Sequence, residues 1–263
     1  MSPIAPWLQH AARANLARHF SYAPSRTAGM RAIAAPDLVQ VDCGMPCDTF
    51  NAVCNAQLDE ADAAARIAVV IDDYAARGLP FSWWVCPGDG PERLDAWLTA
   101  AGLAAAETEL AMTLPLSELV VFAISPGLSI ERVRTEAQLR DFAVVNAANW
   151  SPPDAQVVEF YRRAAPALLA PVSPLRLSVG CLDGEPVATA EATVDEVVGL
   201  YNICTLEAQR GRGFGSALTL QPLLDARAVG VTAAILQASA DGVGLYRRLG
   251  FRDYGLITEY KPA

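Results

Sequence analysis

The sequence predicts a two-domain α/β protein in which mixed, mostly antiparallel sheets are flanked by helices. Three observations predict it. A chain of 263 residues is comfortable for two domains, and 52% hydrophobic against 19% charged residues supplies apolar mass for two cores. Between Leu175 and Thr205, the turn signals Asp183-Gly184 and Asp195-Glu196 cut alternating residues into a three-strand meander. Finally, the order helix, strand, short helix, glycine, strand occurs twice: Ala96-Trp97-Leu98-Thr99-Ala100-Ala101-Gly102-Leu103 takes the place in the first half that Gly244-Leu245-Tyr246-Arg247-Arg248-Leu249-Gly250-Phe251 takes in the second. The chain reads as a weak internal repeat.

In order, residues 3–20 read as a helix with Trp7, Leu8, Ala11, Ala12, Leu16 and Phe20 near one face. Met30 to Ile33, Leu38 to Val41 and Thr49 to Cys54 read as short strands. Asp59-Glu60-Ala61-Asp62 suits a helix start, and Gly78 its end. Phe81 to Val85 is a buried strand; Pro91 stands at the first position of a helix that Gly102 ends; Thr108 to Leu114 is a strand. Residues 115–127 carry two prolines and a Pro-Gly turn signal, which puts the domain boundary near 122 and gives domains 1–122 and 123–263.

The second half opens with a strand, Leu128 to Val133. Thr135-Glu136-Ala137-Gln138 is a capping-box pattern that starts a helix with Leu139, Phe142, Ala143 and Asn146 on one face, ending near Trp150. Pro152-Pro153-Asp154 starts another, with Val157, Tyr161, Leu168 and Leu169 inward. After the meander come a glycine-rich stretch, a helix to Gly230, a strand Thr232 to Ala238, a helix from Asp241 and a last strand Phe251 to Tyr260.

That stretch, Gln209-Arg210-Gly211-Arg212-Gly213-Phe214-Gly215-Ser216, runs from a strand directly into a helix. Glycines let the backbone take positive φ and come close to a ligand, and a helix N-terminus offers free N–H groups with partial positive charge. Such a loop suits a phosphate or pyrophosphate. A nucleotide P-loop requires a lysine, and the chain's one lysine is Lys261; a dinucleotide fingerprint requires a third glycine where Ser216 stands. A single Arg-Gly repeat at net charge −9 lacks the field of a nucleic-acid binder.

Arg210-Gly211-Arg212-Gly213-Phe214-Gly215 matches the [QR]xxGx[GA] loop of the GNAT superfamily of N-acetyltransferases, and Leu245-Tyr246-Arg247-Arg248-Leu249-Gly250-Phe251 resembles that family's second mark. The resemblance covers residues 128–260, about half the chain. It implies an acyl-CoA-dependent N-acyltransferase, with acetyl-CoA as co-substrate, that acts by direct transfer to a primary amine of a small molecule or peptide. By the same resemblance, main-chain N–H groups from Arg210 to Ser216 hold pyrophosphate, Arg212 reaches a phosphate or lies in solvent, and Ile203-Cys204-Thr205 pair with the pantetheine arm. Tyr246 is the candidate general acid. Where the family often has asparagine, seven residues before the tyrosine, this chain has Ser239. The glutamate that some relatives carry on the strand before the loop has no counterpart in Val-Val-Gly-Leu-Tyr-Asn-Ile-Cys-Thr. Glu191 on the neighbouring strand is the first candidate base, with a solvent-facing residue as its alternative reading; Tyr201 or Asn202 holding a water is another.

If the repeat is real, the first copy is degenerate: Gln57-Leu58-Asp59-Glu60-Ala61-Asp62 has no glycine and three carboxylates that would repel pyrophosphate, and Leu98 stands at the tyrosine position. The rival to an enzyme is a non-catalytic acyl-CoA sensor or scaffold, favoured by the missing glutamate and Ser239, whereas Tyr246 favours the enzyme. Six cysteines without a CxxC pair read as reduced, mostly buried thiols, not as a metal site or disulfide scaffold. The opening lacks a secretory apolar core and no run reaches membrane length, so a cytoplasmic protein is expected, although residues 1–36, with four arginines and no acid, share the balance of a transit peptide. Neither nucleic acid nor membrane is an expected partner.

Overall fold

The computed structural model describes residues 4–123 and 126–263. Pro3 of the expected first helix, and Ile124 and Ser125 of the expected linker, lie outside them. The chain forms two units, one holding the residues up to Ala111 with Asp253–Ala263, the other Met112–Arg252. This division differs from the expected boundary at 122 because strand pairing, not the proline-rich segment, decides which residues cluster.

In the first unit, α1 (Pro6–Ser21) precedes β1 (Arg31–Ala34), β2 (Val39–Asp42) and β3 (Ala52–Cys54), followed by α2 (Ala63–Ala76), β4 (Ser82–Val85), α3 (Leu94–Ala100) and β5 (Leu103–Pro115). The C-terminal strand β11 (Arg252–Pro262) joins them, and the strand order is β1-β2-β3-β4-β11-β5. β11 runs antiparallel to β4 through Thr258↔Val85, Glu259↔Trp84 and Tyr260↔Trp83. The stripe Ala63, Ile67, Val70 and Tyr74 on α2 packs on Trp83, Phe81 and Leu98. Each large side chain so buried contributes about 1.5–3 kcal/mol. Leu98, at the position matched to the tyrosine, is a core residue with no exposure.

α2 starts where the acids 59–62 predict: Asp62 is its N-cap, and the Asp59 carboxylate accepts the Ala61 N–H (2.9 Å) in the turn before it. One expected helix start shifts. α3 begins at Leu94 and not at Pro91, because Gly90 is held in extended pairing: its N–H donates to Ala56 O (3.0 Å) and its carbonyl accepts from Leu58 N (3.1 Å). These bonds form a parallel bridge Gln57↔Gly90 beyond the β3–β4 ladder, which pairs Ala52↔Ser82 and Val53↔Trp83. Next to the bridge, the Asp89 side chain has no exposure and lies 3.4 Å from Arg13. Burial pushes its carboxyl up to about 7, against the Cys86 N–H and Arg13.

The second unit contains β6 (Leu128–Arg132), α4 (Glu136–Ala147), α5 (Ala155–Leu168), β7 (Leu175–Leu182), β8 (Glu185–Val194), β9 (Val198–Thr205), α6 (Phe214–Ala228), β10 (Ala233–Ala238) and α7 (Val243–Leu249). Its strand order is β5-β10-β9-β8-β7-β6, so the last residues of β5 serve here, where Thr113 Oγ donates to Ala234 O (3.0 Å). The expected capping box forms: Thr135 accepts from Gln138 N, and the Gln138 side chain accepts from Thr135 N. Asp154 caps α5. The Asp183-Gly184 turn takes positive φ at both residues, 53° and 87°, as a tight hairpin requires.

The succession β7, β8, β9, α6, β10, α7, β11 repeats that of β1, β2, β3, α2, β4, α3, β5, and in both the third and fourth strands run parallel. Gly102 (φ 90°) and Gly250 (φ 106°) end the two short helices in the same way. The strands that follow them are exchanged, β11 lying beside β4 and β5 beside β10.

Two stability measurements follow. A Cβ at Gly102 would meet nothing within 4 Å, whereas one at Gly250 would lie 3.0 Å from Leu114 Cδ1 and 3.2 Å from Glu118 O. Denaturant titration should show Gly102→Ala losing about 1 kcal/mol from left-handed strain, and Gly250→Ala about 2–4 kcal/mol from strain plus overlap with backbone. Asp89 keeps its proton in the folded state up to about pH 7 but releases it near pH 4 when unfolded. Wild-type stability should therefore fall, relative to Asp89→Asn, as pH rises from about 4 to about 7, by on the order of a few kcal/mol. Parallel pH profiles of the two proteins would refute it.

Candidate active site

The site forms where β9 leaves its neighbour. β9 pairs parallel with β10 through Val198↔Ala234, Gly199↔Ile235 and Leu200↔Leu236; the ladder ends there, while β9 continues to Thr205 and β10 to Ala238. On its other side β9 pairs with β8 through Glu191↔Tyr201 and then Thr189↔Cys204, so an extra residue bulges out of β9. Asn202, in the bulge, has φ 49°, a left-handed conformation rare for a side chain other than glycine. Beyond the bulge, Ile203, Cys204 and Thr205 run along the parted side, where backbone groups lack the β10 ladder.

β9 leads through a short turn, Glu207–Gln209, into the glycine loop. Gly211 (φ 75°) and Gly213 (φ 83°) both take positive φ, and space around Gly211 is open for at least 4 Å from where a Cβ would stand. Gly213 is the N-cap of α6; no side chain caps this end and no acid lies in its first turn. The first N–H groups of α6, at Phe214, Gly215 and Ser216, therefore have neither an intrahelical nor a capping acceptor. Phe214 offers main chain alone: its ring is 2% exposed, packed with Val187, Ala188, Ala190 and Leu218. The exposed Arg212 stacks its guanidinium 4.9 Å from that ring and bonds Gln209 Oε1. Arg210 braces the loop by donating Nε to Thr205 O (3.2 Å).

Across the parting stands α7. Ser239 precedes it and its hydroxyl oxygen accepts the Gly242 N–H (3.3 Å), so Ser239 caps the turn into α7. Tyr246 lies one turn into that helix, buried, with its ring edge-on to Phe251 (6.1 Å, 67°). A Cβ at Gly242 would lie 2.9 Å from Tyr246 Cε2, so the absence of a side chain at 242 is what admits the ring. At Gly215, a Cβ would touch Leu245 and Thr205 at 3.5 Å, which brings the start of α6 close to both α7 and β9.

Glu191 is 2% exposed, so the solvent-facing reading is wrong. β8 is covered on both faces, by α4 on one and α6 on the other. The Glu191 Oε2 accepts from the Tyr161 hydroxyl (3.1 Å) and from Asn202 Nδ2 (3.0 Å), and the same amide lies 3.0 Å from the Tyr161 oxygen. Burial pushes the Tyr161 hydroxyl well above its ordinary range, and the Glu191 charge adds to it. Cys204 bonds Asn149 and is pushed up by burial, which outweighs the pull of Asn149, Thr189 and Arg210. A thiol held protonated in this way lacks the thiolate character that a nucleophile requires. Tyr161 and Asn149 were not among the candidates. The signal for Tyr161 was present, since a tyrosine among inward positions needs a partner for its hydroxyl.

The residues fit an acyl-CoA. An uncapped helix start without acids, behind a glycine loop with open space, suits a pyrophosphate, and the parted edge of β9 suits an amide-bearing arm. Among the described residues no cluster of three His, Cys, Asp or Glu side chains could hold a metal, and no helix is long and apolar enough to cross a membrane.

The second unit is thus an α/β domain with a glycine loop and an uncapped helix start at a parting of parallel strands. Residues 139–251 match the model of the acetyltransferase (GNAT) family, and the second unit carries a domain of that family. The family transfers acyl groups from acyl-CoA. No curated protein matches the chain in sequence. In fold it is similar to a GCN5-related N-acetyltransferase from Kribbella flavida (20% identity, TM-score 0.70, covering 94% of this chain and 95% of that one). It is also similar to a functionally unknown conserved protein from Staphylococcus epidermidis (13%, 0.65, 90% and 96%). A tandem GNAT protein from the clavulanic acid biosynthesis pathway shares the fold too (13%, 0.60, 86% and 78%).

Proposed function

We propose that the chain is an N-acyltransferase that moves an acyl group, in the first instance acetyl, from acyl-CoA directly to a primary amine of a small molecule or peptide. The observation that carries this reading is the end of the β9–β10 ladder at Leu200↔Leu236, beside an uncapped glycine loop. Acyl-CoA supplies a thioester whose carbonyl accepts the amine. Main-chain N–H groups from Gly211 to Ser216 bind its pyrophosphate, the expected Arg210 N–H being already donated to Glu207 O (3.2 Å), with Arg212 at the rim, while Ile203, Cys204 and Thr205 pair with its pantetheine arm. Glu191 takes the proton that the amine gives up as the N–C bond forms. As the C–S bond breaks, Tyr246 gives its proton to the departing sulfur, whose basicity is near that of a phenol. Ser239 supports this side through its cap on the turn into α7.

The first unit is, in this reading, a copy that does not bind acyl-CoA. At the place where β9 and β10 part, its own chain closes the gap by the Gln57↔Gly90 bridge, and Asp59, Glu60 and Asp62 stand where a loop would receive phosphate. A cytoplasmic location fits the use of acyl-CoA.

Acetyl-CoA and CoA should each raise the melting temperature and NAD should not, since a ligand at about 100 times its Kd adds about 2.7 kcal/mol to the folded state. Gly213→Val, which puts a branched side chain at φ 83°, should abolish both shifts. A retained shift would sink the pyrophosphate loop.

In thiol-release assays with a panel of primary amines, Tyr246→Phe and Glu191→Gln should each slow turnover about 100-fold or more while keeping the melting shift with CoA. Wild-type turnover in either variant would remove that residue from the mechanism. Binding without thiol release by the wild type, across the panel, would turn the reading toward an acyl-CoA sensor.

A further inference from the structure

We propose that Tyr161 and Asn202 are positioning residues that act together through Glu191, holding its carboxylate as the base that meets the incoming amine; this rests on the acyltransferase reading above. Three separate elements meet here: α5 brings Tyr161, β8 brings Glu191 and β9 brings Asn202, and their polar atoms close a ring with sides of 3.1, 3.0 and 3.0 Å. Both donors converge on one oxygen, Oε2, which fixes the plane of the carboxylate.

Each donor is itself held. The Tyr161 ring lies edge-on to Phe142 (5.1 Å, 68°) and to Phe160 (5.4 Å, 84°), and the residue is 2% exposed. Asn202 takes a left-handed φ of 49° in the β9 bulge, a conformation that costs a side chain free energy. Its carbonyl is fastened to the Thr189 hydroxyl (3.1 Å), and its amide crosses to Glu191 on β8. A plain strand would put successive side chains on opposite faces; the bulge re-aims this one.

The titratable groups that face Glu191 are Tyr161, Tyr201 and Cys204. Tyr161, from α5, keeps its proton and can only donate to a carboxylate. On β9, Tyr201 stands opposite Glu191 in register, and the Cys204 thiol is pushed up by burial. α4 turns Leu139, Phe142, Ala143 and Asn146 inward, and β7 sets Leu177 opposite Glu191; none of these titrates. Hydrogen bonds from neutral donors favour the charged form of a carboxylate and offset part of its burial. The donors therefore keep Glu191 ready to accept a proton, beyond simply filling the core.

The test is a titration of the full-length chain carrying 13C-carboxyl glutamate, with the Glu191 signal assigned by its loss in Glu191→Gln. Tyr161→Phe keeps the ring packing, and Asn202→Gly takes positive φ without strain, so a failure of one variant to fold leaves the other as the test. The Glu191 midpoint should rise by about one pH unit in each variant. A midpoint unmoved in the folded variants overturns the proposal, as does a signal that keeps one protonation state in all the proteins. No substrate is involved, so the outcome is separate from that of the assay with Glu191→Gln, which tests whether the carboxylate is the base.

Discussion

The site depends on one constraint, the point at which a parallel ladder is allowed to end. In β9 an extra residue at the bulge takes the strand out of step with β8 and away from β10 after Leu200. Three things follow from that departure. A row of backbone groups is left along Ile203 to Thr205; the Asn202 amide is turned toward Glu191; and the chain reaches α6 through a loop that needs positive φ at Gly211 and Gly213. The first unit shows the alternative. There Asn55 also takes positive φ, 54°, after the third strand, but Gly90 pairs with Ala56 and Leu58 and the sheet closes again. The same succession of elements thus yields one cleft and one seam.

A buried carboxylate is expensive unless it is hydrogen-bonded, and Glu191 is placed where the fold supplies neutral donors from two other elements. The surrounding polar groups are similarly spoken for: Thr189 bonds the Asn202 carbonyl, and Asn149 bonds Cys204. Local strain at Asn202 is tolerated because the aromatic packing of Tyr161, Phe142 and Phe160 holds its partner in place. The contacts that hold the packing here also hold the carboxylate, so a substitution at this point should be judged by its titration as well as its melting.

What was legible in the sequence was local. The capping box at Thr135, the hairpin at Asp183-Gly184, the glycine loop and the Gly250 helix end each rest on a few adjacent residues with strong backbone preferences. The repeat was legible for the same reason, through Gly102 and Gly250. The domain boundary was not. Pairing of β11 with β4 joins residues far apart in the chain, and a proline-rich linker at 115–127 carries no information about it. Pro91 misled because a helix-start preference was overridden by the pairing of Gly90. For Glu191 the sequence left a solvent-facing alternative open, since alternation on β8 cannot reveal that both of its faces are covered. Tyr161 was read as core, which it is; the bond of its hydroxyl to Glu191 was not legible.

The exchange of β5 and β11 has a consequence for how the molecule is made. Synthesis proceeds from the N-terminus, yet the first unit has an unfilled place beside β4 until Tyr260 has left the ribosome. Its strand edge must wait, open, while the whole of Met112–Arg252 is translated, and an open edge is the part of a sheet that other chains can join. The nascent protein thus passes through a stage in which its oldest half is its least finished. A lesion in β11 would be felt at the beginning of the chain, in the unit that holds α1 to α3.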